Sequence, residues 1–164
     1  MKRTWILIVG ATLFNGILAG ADVDRWFVGM PAWHAVGAAD WANYSRSADL
    51  GNGVFFYPMF AIVGTLLSLA AAISFIRQPR RERLVAVAIY TAAALALAGL
   101  LMTFKAAPFM LSLQHIGNEN INALQQAFYG FEFWGGIRAV LQTLAFGANL
   151  WSLAALYDCQ PASV

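Results

Sequence analysis

The chain has 164 residues, 60% of them hydrophobic and 11% charged, with a mean hydropathy of +0.63, a balance too apolar for a soluble domain of this length. The formal net charge of +2 gives no basic stripe of the kind nucleic acid demands. The single cysteine, Cys159, excludes an intramolecular disulfide, a Cys-x-x-Cys relay and a thiolate metal cluster, and with them a thiol-disulfide membrane oxidoreductase.

Four stretches have the roughly 20 apolar residues that cross a hydrocarbon core: Trp5 to Ala21, Val54 to Ile76, Leu84 to Phe104 and Phe133 to Leu156. The expected fold is all-α, a single-domain integral membrane four-helix bundle, multi-pass in the cell membrane. Lys2 and Arg3 precede the first stretch, as in a secretion signal. Its apolar run is longer than a signal core, however, and Asp22-Val23-Asp24-Arg25 is a poor cleavage site, so it is read as a retained span. At 100° per residue Asn15, Asp22 and Trp26 share one sector of this helix.

The first connection, around Trp33 to Asn52, interleaves Ala39, Trp41, Ala42, Tyr44, Ala48 and Leu50 with Asp40, Asn43, Arg46 and Asp49. That pattern predicts a short amphipathic helix ended by Gly51-Asn52-Gly53. The second span carries Tyr57, Gly64 and Ser68 on one face, with Pro58 beside Tyr57. Arg77, Arg80, Arg81 and Arg83 crowd the link that follows. Positive residues stay in the cytoplasm, so this link and both termini are expected there, with the two longer connections outside; contact with anionic lipid would need the same orientation. The shortness of the link predicts that the second and third helices are antiparallel neighbours.

On the third span Thr91, Ala98, Met102 and Lys105 fall on one side, and Pro108 is expected to kink the helix or end it soon after. The second outer connection alternates Ile121, Leu124 and Phe128 with Asn120, Gln125 and Gln126, which predicts a second amphipathic segment over 118–129. The fourth span is the most informative. Trp134, Arg138, Gln142 and Asn149 fall within about 80° of one another, a polar face that lipid would reject. An intramembrane arginine needs a partner or water, and marks a functional site by default.

Small or polar faces on all four helices converge most economically on the bundle interior. Asp22 is the expected partner of Arg138, and Glu132 that of Lys105. Gly16 and Gly20, with Gly135, Gly136 and Ala139, predict close approach of the first and fourth helices. His34 and His115 lie one in each outer connection; they are weak metal-ligand candidates, because no His-x-x-x-His or Glu-x-x-His spacing supports them. An ion or proton path has little support, since the inner halves offer few polar residues beyond Asn15, Ser68, Thr91 and Asn149.

Several local features resemble the anthrone-oxygenase-like family of small four-span membrane proteins: Met30-Pro31-Ala32-Trp33 after the first span, Asn52-Gly53 before an aromatic second span, and the basic turn after it. Thr103 to Pro108, and Trp134 with Arg138, resemble the family's residues at the end of the third span and the start of the fourth. Phe109 stands where that family has asparagine. The resemblance implies oxidation of an electron-rich phenolic compound. Asp22 or Glu132 would be the base, Arg138 or Lys105 the stabilising cation; no flavin, nicotinamide or haem motif names a cofactor.

Two functions are therefore in view. One is a site for a lipophilic or aromatic small molecule, lined by Asn15, Trp26, Tyr57, Trp134, Gln142 and Asn149 beside the charged residues. The other is a non-catalytic accessory subunit of a larger complex or homo-oligomer, whose buried charges fix helix register. An enclosed cavity reaching the outer surface beside Arg138 favours the first; full neutralisation with no void favours the second.

Overall fold

The structure is a computed structural model that describes residues 2–78 and 82–158. Arg80, Arg81 and Cys159 lie outside the described residues. The described residues are helical almost throughout, with no strand among them: α1 (Lys2–Asp24), a π turn (Arg25–Gly29), α2 (Met30–Val36), α3 (Ala38–Ser47), α4 (Gly53–Ile76), α5 (Arg83–Ser112) and α6 (Ile121–Asp158). Four helices, counting the run from Lys2 to Val36 as one, are long and apolar enough to cross a membrane.

These helices form a ring in which α1 touches α4, α4 touches α5, α5 touches α6 and α6 returns to α1. Neighbours are antiparallel. Thr4, at the start of α1, meets Ser74 at 2.9 Å and Gln78 at 2.7 Å near the end of α4, while Asn15 meets Ser68 at mid-length. The short link after α4 thus joins adjacent antiparallel helices, as its length predicts.

The first span does not end near Ala21. Nothing breaks the helix before Gly37, whose φ of 95° ends α2. The run passes through Pro31 because the π turn lies just before it: a proline ring crowds the carbonyl four residues back, and the wider turn, closed by Met30 N–H donating to the Arg25 carbonyl, relieves that crowding. Past Pro108, α5 continues for one turn and ends at Ser112. The 118–129 stretch is not a separate segment either. From Ile121 it is the first two and a half turns of α6, which at 1.5 Å per residue is about 57 Å long and overshoots a hydrocarbon core of about 30 Å.

Two cores result. At the 77–83 end Ile8, Phe75, Val85, Ile89 and Leu156 pack together. At the other end α3 lies across the bundle, with Trp41 wholly buried against Phe128 and Phe131 at ring distances of 5.0 and 6.0 Å. Between them α5 presents a stripe of small residues, Ala88, Ala92, Ala96 and Gly99, toward its neighbours. Of the side of α5 expected to face inward, Thr91 and Lys105 are exposed, and Ala98 and Met102 are half-buried. Alanine and glycine carry the close helix packing there, which a search for polar residues overlooks. Exposed Leu, Ile, Val and Phe lie on the outside of all four long helices, a surface suited to lipid.

Candidate small-molecule site

The polar residues of α1 and α6 meet across the bundle in two tiers. In the tier nearer α3, Arg138 donates from an Nη to Asp22 Oδ1 at 2.5 Å, with both side chains mostly buried. One helical turn deeper Gln142 Nε2 donates to Asn15 Oδ1 at 2.7 Å, Asn15 Nδ2 donates to Ser68 Oγ at 3.2 Å, and Ser68 donates to the Gly64 carbonyl at 2.9 Å. Every link in that chain has its donor and acceptor matched, so the inner tier ties α6 to α1 and α1 to α4. Gly64 is required there, because a Cβ on it would sit 2.8 Å from Asn15 Oδ1. The void between the tiers, bounded by Asp22, Tyr57, Thr103, Arg138 and Gln142, measures about 10 Å³, room for about one water.

A second ion pair was not anticipated. Arg25, at the start of the π turn, donates to Asp49 in the turn after α3. The guanidinium carbon lies 5.8 Å from the Trp33 ring, 5.0 Å from Tyr57 and 5.5 Å from Phe131, so three aromatic faces hold the cation in place. Asp49 Oδ2 is buried without a hydrogen-bond partner, and so are Ser45 Oγ and Trp41 Nε1 on the same side of α3. The sequence signal was slight: Arg25 closes an apolar run, and Asp49 lies 24 residues further on in a turn whose placement depends on how α3 packs.

Beside these pairs lies a cavity of about 180 Å³ between α4 and α5, closed at its end by the 48–50 turn. Its wall is apolar, from Val54, Pro58, Ala106, Met110 and Phe131, with Arg25, Asp49, Tyr57, Thr103 and Arg138 as its polar members. It is half-open along the edge where Leu111 is exposed. An apolar cavity of about 150 Å³ stays dry and takes up benzene, so this space suits a single substituted ring.

The remaining expected residues are placed elsewhere. Glu132 does not pair with Lys105: its carboxylate accepts from His34 Nε2 at 2.8 Å, and Lys105 is exposed on α5. The extension of α1 through α2 is what carries His34 up to Glu132. His115 is exposed in the turn after α5, and no group of three or more His, Cys, Asp or Glu among the described residues is arranged to hold a metal. Trp134 packs into the core beneath α3 rather than into the cavity. Trp26 rests on Gly136, where a Cβ would come within 2.7 Å of its ring, and lines grooves on the outer surface of α1 and α6. Asn149 is buried but donates to the Ala145 carbonyl of its own helix at 2.9 Å.

The fold and the cavity together define a class, a four-span helical protein with paired charges beside an interior pocket. Family models, curated proteins and solved structures were compared with the chain, and none matches.

Proposed function

We propose that this is a multi-pass protein of the cell membrane that binds a lipophilic, ring-containing small molecule in the cavity between α4 and α5. The observation that carries this reading is the cavity's composition: apolar walls of one-ring size with charged groups at one end, the usual make-up of a small-molecule site. Its half-open edge lies between spans whose outer faces are apolar, so a ligand dissolved in the bilayer enters sideways without crossing water. With the arginine-rich 77–83 link in the cytoplasm, the cavity and α3 lie toward the outer surface.

A catalytic role rests on the resemblance to anthrone-oxygenase-like proteins. In that role a carboxylate takes the proton of a bound phenol and Arg138 stabilises the resulting oxyanion. Neither carboxylate expected to act as base lines the cavity: Glu132 lines an outer groove of α6, and Asp22 lines the small void behind Arg138 and a groove between α1 and α6. The carboxylate on the cavity wall is Asp49.

The reading as an accessory subunit has one specific support, the hydrogen-bonded chain of Gln142, Asn15 and Ser68, which is polar glue of the kind that fixes register. It describes the inner tier and leaves the cavity unaccounted for. The test is thymol binding to the protein in lipid nanodiscs, read by tryptophan fluorescence, for the native chain and Arg138→Met. Binding to the native chain and at least about tenfold weakening in the variant support the pocket. Unchanged binding in Arg138→Met refutes it.

A further inference from the structure

On the outer side of α1 and α6, away from the cavity, two grooves of about 590 and 330 Å³ meet at Trp26 and Val140, which line both. The first begins beside Tyr129, Glu132 and Phe133, and the second reaches Leu144. From Glu132 to Leu144 they follow α6 for about 18 Å at 1.5 Å per residue, close to the depth of one leaflet, about 15 Å, in a hydrocarbon core of about 30 Å. Phe27, Ile137, Val140 and Leu144 make the walls apolar; Asp22, which borders the second groove, is already neutralised by Arg138. A groove of that length and lining fits an acyl chain, whereas a compact ring would fill only part of it.

The polar end of the groove carries a charge with a weak counter-ion. Glu132 stands one residue before Phe133, where the fourth apolar stretch opens, and so lies at headgroup level. Its carboxylate accepts from His34 Nε2, and its side chain remains 25% exposed. Asp22 and Asp49 each face an arginine, which is always charged, while a histidine is the weaker counter-ion. Tyr129 and Phe133, both exposed, and Trp26 add aromatic faces that attract a cation. Among the described residues neither groove is lined by lysine or arginine, so an anionic headgroup would meet only like charge.

We propose that the groove between α1 and α6 is a binding site for a phospholipid with a primary ammonium headgroup, phosphatidylethanolamine. The ammonium donates to the Glu132 carboxylate among the aromatic rings, and one acyl chain lies along the groove as far as Leu144. A choline headgroup has the charge but no N–H to donate, so Glu132 selects ethanolamine over choline and either over an anionic head.

The full chain is placed in nanodiscs with equal amounts of phosphatidylethanolamine, phosphatidylcholine and phosphatidylglycerol of identical acyl chains, and the lipids that stay bound are counted by native mass spectrometry. The native chain is expected to retain phosphatidylethanolamine over phosphatidylcholine by at least about threefold, as one partly exposed ion pair gives, and phosphatidylglycerol least. Glu132→Gln is expected to bring the ethanolamine-to-choline ratio close to one. Val140→Trp, which fills the junction of the two grooves, is expected to lower retention of phosphatidylethanolamine at least about threefold. Equal retention of the ethanolamine and choline lipids by the native chain, or preference for phosphatidylglycerol, overturns the proposal. So does a dimer that carries no lipid, which would mean that a second copy of the chain covers the groove. An unchanged ratio in Glu132→Gln, or unchanged retention in Val140→Trp, overturns it as well. The native-chain ratio decides the matter even where a variant does not fold.

Discussion

At the scale of single residues the decisive fact is that each buried charge has one partner and each partner comes from a different element. Removing one member of a buried pair strands the other, which costs about 3–5 kcal/mol, whereas removing both costs much less. Arg138→Met and Asp22→Asn are each expected to lower the detergent unfolding temperature sharply, and the double variant to recover part of the loss; additive effects in this cycle would show that the two do not interact. Arg46 is a second residue-scale test. Its guanidinium donates to the carbonyls of Leu113 and Ile116 and to the side chains of Asn43 and Asn118, tying α3 to the loop before α6. Arg46→Ala should destabilise by about 2 kcal/mol and raise hydrogen exchange over 113–118, with little change over 64–72. The Asp22 to Arg138 pair and the Asn15 to Gln142 contact are legible in the sequence, because helical periodicity alone puts them on facing stripes. The pairs Arg25 with Asp49 and His34 with Glu132 are not. Each depends on the extra residue of the π turn and on where a connection folds back, neither of which leaves a periodic trace.

Among elements, the contact of α1 with α6 turns on glycine at one position and not at another. A Cβ at Gly136 would press on the Trp26 ring at 2.7 Å, while Gly20 has nothing within 4 Å. Gly136→Ala is accordingly expected to destabilise by about 1–3 kcal/mol, as overpacking does. Gly20→Ala should be neutral or stabilising by up to about 1 kcal/mol through helix propensity. Equal thermal shifts for the two would mean that α1 and α6 do not approach as described. The small-x-x-x-small patterns make that approach legible without telling which glycine bears it, since the answer depends on the rotation of Trp26 past the π turn. The inward side of α5 was harder to read: a stripe of alanines carries no polar signal, and Thr91 and Lys105, which do, face outward.

For the whole molecule, the four spans follow from apolar length, the pairing of α4 with α5 from the short 77–83 link and that of α1 with α6 from their small-residue patterns, and so were legible in the sequence. The cavity was not, because a void is set by the splay of α4 from α5 and by the turn that closes its end, not by any residue pattern. Orientation is a molecule-scale prediction. In a Cys159→Ser background, Asn118→Cys should react with a membrane-impermeant maleimide on intact cells and Arg83→Cys should not; the reverse pattern would place the cavity toward the cytoplasm. The most direct test of the central claim is to fill the cavity without touching its charges. Ala107, half-buried on the cavity wall, is replaced by Phe, and thymol binding in nanodiscs is measured beside the unfolding temperature. The account predicts at least about tenfold weaker binding with an unfolding temperature close to the native one; undiminished thymol binding by a folded Ala107→Phe protein would contradict it.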